Sequence, residues 1–133
     1  MPAELEIVLR LLLAAILGAV IGFQRGKAGK PAGLRDHVLI SVGSALFTVV
    51  SIYGFGGADA ARIAAGVVTG IGFLGAGTII RRGEGVVEGL TTAATIWVAA
   101  AIGLAAGAGL YLVSAAATAI ILIVLLIPHM HVK

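Results

Sequence analysis

Gly66–Gly77 reads GVVTGIGFLGAG, and Gly70–Gly75 within it, GIGFLG, matches G-x-G-x-x-G letter for letter. A dinucleotide-binding turn needs a strand before these glycines, a helix opening on them, and an acidic residue about 20 positions later. Glu88 stands near that distance, but no alternation of strands and helices surrounds the segment. Its flanks are apolar in both directions, so its meaning depends on the solvent around it. The whole chain decides that.

Of the 133 residues, 60% are apolar and 11% charged, with a mean hydropathy of +1.16. A soluble domain carries about 25% charged residues to cover its surface. This chain cannot do so and is expected to face lipid. Backbone groups in lipid must be satisfied within helices or a closed barrel. No alternating barrel pattern is present, which leaves helices. The chain has no cysteine, which excludes disulfides, thiolate metal sites and a cysteine nucleophile. A net charge of +3 and 5% aromatic residues give no basis for nucleic-acid binding. The apolar start at Leu5–Phe23 lacks a basic leader, since Glu4 and Glu6 precede it, and it does not read as a secretory signal.

A bilayer is crossed by a helix of about 20 apolar residues, with a range of about 17–25. Five segments qualify: Leu5–Phe23, His37–Phe55, Ile63–Ile80, Leu90–Ala106 and Leu110–Pro128. The expected fold is an all-α integral membrane bundle of about five transmembrane helices, a single domain over residues 1–133. Short connections such as Gly107-Ala108-Gly109 imply antiparallel neighbours. Basic residues favour the cytoplasmic side. Arg25, Lys27, Lys30 and Arg35 in the first loop, Arg81 and Arg82 in the third, and Lys133 all fall on one side, against Arg62 beside Asp59 on the other. The expected orientation has the N-terminus outside and the C-terminus in the cytoplasm.

Helices in lipid associate through small residues spaced by four and through interhelical hydrogen bonds. Ala14, Gly18 and Gly22 form such a ridge, with Arg10 one turn before it. Arg10 reads either as an anchor snorkelling to the outer surface or as a buried charge facing the bundle interior. His37, Ser41, Ser44, Thr48 and Ser51 fall within a stripe of about 80°. That stripe either bonds neighbouring helices or lines a polar conduit. Thr91, Thr95, Ala99, Gly103 and Gly107 form a third ridge with Thr92 beside it. It reads as packing, with a hydroxyl-rich helix start that could receive an anion as the alternative. Apolar Ile120–Ile127 reads as the end of a peripheral helix facing lipid. His129 and His131 read as tail residues, and no metal site or cofactor is expected.

As a helix, the opening stretch places Gly66, Gly70 and Gly77 within about 40° of one another and Gly72 and Gly75 on the opposite side. This predicts a central helix approached closely on two faces. No nucleophile–base–acid set is visible, and no enzyme activity is expected.

The stretches GAVIGFQR (18–25), AGLRDHVLISVGSALF (32–47), ARIAAGVVTGIGFLGAGTIIR (61–81) and GLTTAATIWVAAAIGLAAGAGLY (89–111) together resemble the MgtC/SapB family of membrane proteins over nearly the whole chain. Two positions depart from the family pattern: Gln24 stands where the family has Glu, and Asp36 where it often has Thr. Better-known members carry a soluble cytoplasmic domain after the fifth helix, which this sequence does not show. The resemblance implies a bacterial inner-membrane protein linked in some members to magnesium limitation and survival in macrophages, and to restraint of the proton-translocating ATP synthase. Magnesium prefers carboxylates and waters as ligands, and the expected span interiors contain no Asp or Glu. The leading expectation is therefore a nonenzymatic regulator or partner-binding module, dimeric, with its basic inner loops near anionic lipid heads. The alternative is a small transporter or channel. Candidate residues are Arg10, Gln24, Arg25, Arg35, Asp36, His37, Ser41, Ser44, Arg62, Thr91, Thr92 and Thr95. Gly18, Gly22, Gly66, Gly70, Gly72, Gly75 and Gly77 are expected to serve helix packing.

Overall fold

The computed structural model describes residues 3–55, 59–81 and 87–128; Arg82, His129, His131 and Lys133 lie outside them. Five helices run in order: α1 (Glu4–Lys27), α2 (Leu34–Tyr53), α3 (Ala60–Ala76), α4 (Leu90–Gly107) and α5 (Tyr111–Leu125). Of these, α1, α2 and α4 are long and apolar enough to cross a membrane, while α3 and α5 are shorter apolar helices. The third segment ends earlier than the sequence suggested. Gly77 and Thr78 turn the chain, and Ile80–Arg81 (β1) pairs antiparallel with Val87–Glu88 (β2). This small hairpin joins α3 to α4 where a plain loop was expected.

Local chemistry sets the helix ends. Glu4 and Glu6 lie in the first turn of α1 and Arg25 and Lys27 in its last, each sign complementing the helix dipole. The Asp59 carboxylate caps α3 by accepting from Ala61 N at 3.0 Å. At the end of α4, Leu110 N donates to Ala105 O and Gly109 N to Ala106 O, both at 3.0 Å. Gly109 adopts φ +87 there, the left-handed residue that closes a helix in this way. The three-residue reversal between the fourth and fifth segments is formed as expected.

The central helix is α2, clasped between α1 and α4. Ala14, Ala45 and Ala106 meet in one buried cluster, and Leu17, Ile21 and Ile102 in another. Along α2, successive contacts run backwards on α1, from Gly22 at Leu34 to Gly18 at Ser41. They run forwards on α4, from Thr95 at His37 to Gly107 at Ala45. So α1 is antiparallel to α2, and α4 is parallel to it. Helix α5 packs on α1 and α4, and α3 packs chiefly on α4. Large apolar side chains such as Phe73 (81% exposed) and Leu112 (83% exposed) cover the outside, as a surface solvated by acyl chains requires.

The expectation of a two-faced central α3 is corrected by this arrangement. A Cβ added at Gly66, Gly70 or Gly72 would meet nothing within 4 Å, and at Gly75 it would make ordinary contact with Ala93. Gly77 caps the helix and meets only carbonyls of its own last turn. The glycines that bring backbones together are instead on α1 and α4.

Candidate functional site

Three sequence features converge on α2. From α1, a Cβ at Gly18 would stand 2.7 Å from His37 O and 2.8 Å from Ser41 Cβ, and one at Gly22 would stand 2.6 Å from Leu34 Cα. From α4, one at Gly103 would collide with Ser41 O, and one at Gly107 would stand 2.6 Å from Ala45 O. Ser41 is thus pressed from both sides and fully buried. Its hydroxyl has no hydrogen-bond partner among the described residues; its small size is what the crossing uses.

The rest of the stripe is bonded. Ser44 Oγ donates to Ala100 O at 2.6 Å on α4, Thr48 Oγ1 to Ser44 O at 2.8 Å, and Ser51 Oγ to Ala60 O at 3.4 Å at the start of α3. His37 is fully buried. Its Nδ1 lies 2.9 Å from Gly33 O, a pure acceptor, so that nitrogen carries a proton. Its Nε2 lies 3.0 Å from Thr95 Oγ1. In the neutral ring Nε2 accepts, and the single Thr95 proton goes to it rather than to Thr92 O, 2.9 Å away. The polar stripe is therefore a seam between helices.

A buried arginine stands at each end of the seam. Arg10 is 7% exposed. Its Nη1 donates to Tyr53 Oη at 2.8 Å and to Gly107 O at 3.0 Å, its Nε to Tyr111 Oη at 3.3 Å, and its Nη2 to Glu6 at 3.4 Å. The guanidinium also lies 5.4 Å from the Tyr53 ring centroid. Tyr111 in turn donates to Glu6 at 3.0 Å. One side chain thereby ties α1 to α2, α4 and α5, which favours the buried reading of Arg10 over the snorkelling one. Tyr53 and Tyr111 were not singled out from sequence. The signal was available: a buried guanidinium needs acceptors, and both phenols sit at span ends on the Arg10 side.

Arg25, expected in an exposed basic loop, is 2% exposed in the last turn of α1. Its Nη2 donates to Pro31 O at 3.0 Å and to Thr92 Oγ1, so the return loop and the first turn of α4 both close on it. Arg25 Nε has no partner among the described residues. Thr92 and Thr95 are buried, while Thr91 is exposed. Gln24 is half-buried, and Arg35 and Asp36 are exposed in the first turn of α2. Gly89 precedes α4 with φ +91, and a Cβ there would collide with Thr78 O.

Arg62 and the open glycines belong to a different feature. A groove of about 630 Å³ separates α2 from α3, with apolar walls that include Gly43, Phe47, Gly66 and Gly70 and with Arg62 at one end. Among the described residues no group of three or more His, Asp or Glu could hold a metal ion.

The family model described as the MgtC family matches residues 11–132. The chain is 52% identical over 132 residues to a protein named "Putative magnesium transporter YhiD" from Escherichia coli (strain K12), covering 93% of this chain and 61% of that protein. It is 44% identical to "Protein SapB" of Bacillus subtilis (strain 168), covering 80% of this chain and 49% of the relative. It is 48% identical to "Protein MgtC" of Brucella abortus (strain 2308), covering 84% and 46%. The chain thus spans about half to three-fifths of the length of these relatives. No solved structure matches it significantly. The resemblance read from the sequence is met by a family match over nearly the full chain, and the chain belongs to the MgtC/SapB family.

Proposed function

We propose that the chain is a nonenzymatic, multi-pass module of the bacterial inner membrane that acts by binding a partner, as a regulator linked to magnesium limitation and stress or virulence. The observation that carries this reading is the closed seam. Ser41 is pressed by backbone on two sides, and Ser44 and His37 spend their polar atoms on α4 and on Gly33. A conduit would need those groups free to replace the hydration shell of an ion. In the same proposal α3 and α5 also span the bilayer, and the Arg25 end faces the cytoplasm, following the basic bias of Lys27, Lys30 and Arg35. Self-association as a dimer belongs to it too, and the family resemblance nominates the ATP synthase as one membrane partner.

The second reading, a small transporter, draws on the name of the E. coli relative, which refers to magnesium transport. Purified protein in liposomes holding a magnesium-sensitive dye separates the two. The proposal expects dye signals equal to those of empty liposomes under an imposed magnesium gradient. Protein-dependent uptake that saturates with magnesium would replace it with the transporter reading.

A further inference from the structure

The groove between α2 and α3 is built from residues that are otherwise uneconomical. Gly43, Gly66 and Gly70 face open space, with nothing within 4 Å of where a Cβ would stand. Each helical glycine costs roughly 1 kcal/mol against alanine, and among the described residues nothing approaches closely enough to recover that cost. At the groove's end stands Arg62, exposed, with no ion pair or side-chain hydrogen bond among the described residues. It lies in the first turn of α3, whose N-terminal dipole is already offset by the capping carboxylate of Asp59, so the guanidinium is the cation offered to the groove. Arg62 and Leu74 both line the groove, and at about 1.5 Å per residue they are about 18 Å apart along α3. One leaflet of hydrocarbon is about 15 Å deep.

We propose that this groove is a binding site for an anionic phospholipid, with its phosphate on Arg62 and one acyl chain lying along the Gly66–Gly70 face. The site joins a guanidinium, which pairs with phosphate through two parallel hydrogen bonds, to an apolar channel of leaflet length. Charge argues for a phospholipid as occupant: the apolar walls run from an exposed guanidinium with no side-chain partner among the described residues, and the bare glycines leave the channel open where an acyl chain would pass. Ser44 lines both the groove and the seam, but its hydroxyl is already given to Ala100 O, and the site holds whichever reading of the seam is correct.

The test is native mass spectrometry of the full chain in detergent, titrated with phosphatidylglycerol or phosphatidylcholine. The expected result is preferential retention of phosphatidylglycerol. Arg62→Gln should weaken that retention about tenfold, the size expected for loss of a hydrogen bond to a charged group. Gly70→Leu should abolish retention by filling the channel, while Gly72→Leu, on the other face of α3, should leave it unchanged. Equal retention by Gly70→Leu and wild type would overturn the proposal. A phosphatidylglycerol with a photoactivatable group in its acyl chain gives a second readout on the unmodified protein. Adducts concentrated on Phe47, Val67 and Leu74 support the site. Adducts spread evenly over exposed apolar residues, or zero-length crosslinks placing a second copy in the groove, refute it.

Discussion

Changing one glycine to alanine on α1 and one on α3 should have opposite effects on stability. At Gly18 the new methyl would stand 2.7 Å from His37 O and 2.8 Å from Ser41 Cβ. Restoring ordinary contact requires α1 to retreat from α2 by about 0.6 Å, and overpacking of this kind costs about 1–3 kcal/mol. Alanine returns roughly 1 kcal/mol of helix propensity, so Gly18→Ala should be destabilising by about 0–2 kcal/mol. At Gly66 the same methyl meets nothing within 4 Å, and only the propensity gain of up to about 1 kcal/mol applies. The two variants should differ by about 1–3 kcal/mol, measured by reversible unfolding of both in the same lipid-free detergent. The reasoning fails if Gly66→Ala is the less stable of the pair. That outcome would return α3 to the centre of the bundle.

Three further perturbations probe the ends of the seam. Arg10→Lys should destabilise by about 1–3 kcal/mol, because one ammonium cannot serve Tyr53, Tyr111, Gly107 O and Glu6 together; thermal melting in detergent reads this. Thr92→Val removes the hydroxyl that Arg25 reaches and should cost about 0.6–2 kcal/mol, the range for interhelical hydrogen bonds in bilayers, with Thr91→Val near neutral by the same melt. Gly89→Ala combines φ +91 with a collision against Thr78 O and should cost more than 2 kcal/mol. Limited proteolysis should then cut between α3 and α4 faster than in wild type.

Much of this arrangement is legible in the sequence. The ridge Ala14-Gly18-Gly22, the stripe from His37 to Ser51 and the ridge ending in Gly103 and Gly107 each follow from helical spacing alone. All three meet on α2. Which ridge faces which helix was not legible, because the small-residue pattern names no partner. Gly66 and Gly70 carry the same four-residue spacing as Gly18 and Gly22, yet they face a groove instead of a neighbouring helix. Arg25 was misplaced for a related reason. A basic residue near a span end ordinarily marks a loop, and its burial comes from Pro31, six residues on, folding back onto it and from Thr92, which is distant in sequence. The α3–α4 hairpin escaped notice because two-residue strands leave no periodicity to read.

The central claim, that the polar stripe of α2 is a closed seam, has a direct test in a chain that contains no cysteine. Ser41→Cys places a single thiol at the most tightly enclosed point of the stripe, and Thr91→Cys places one on the exposed start of α4. A water-borne, membrane-impermeant thiol reagent applied from both sides of the protein in liposomes should modify the Thr91→Cys variant and leave the Ser41→Cys variant unmodified. Rapid labelling at position 41 would show water inside the seam and contradict the account.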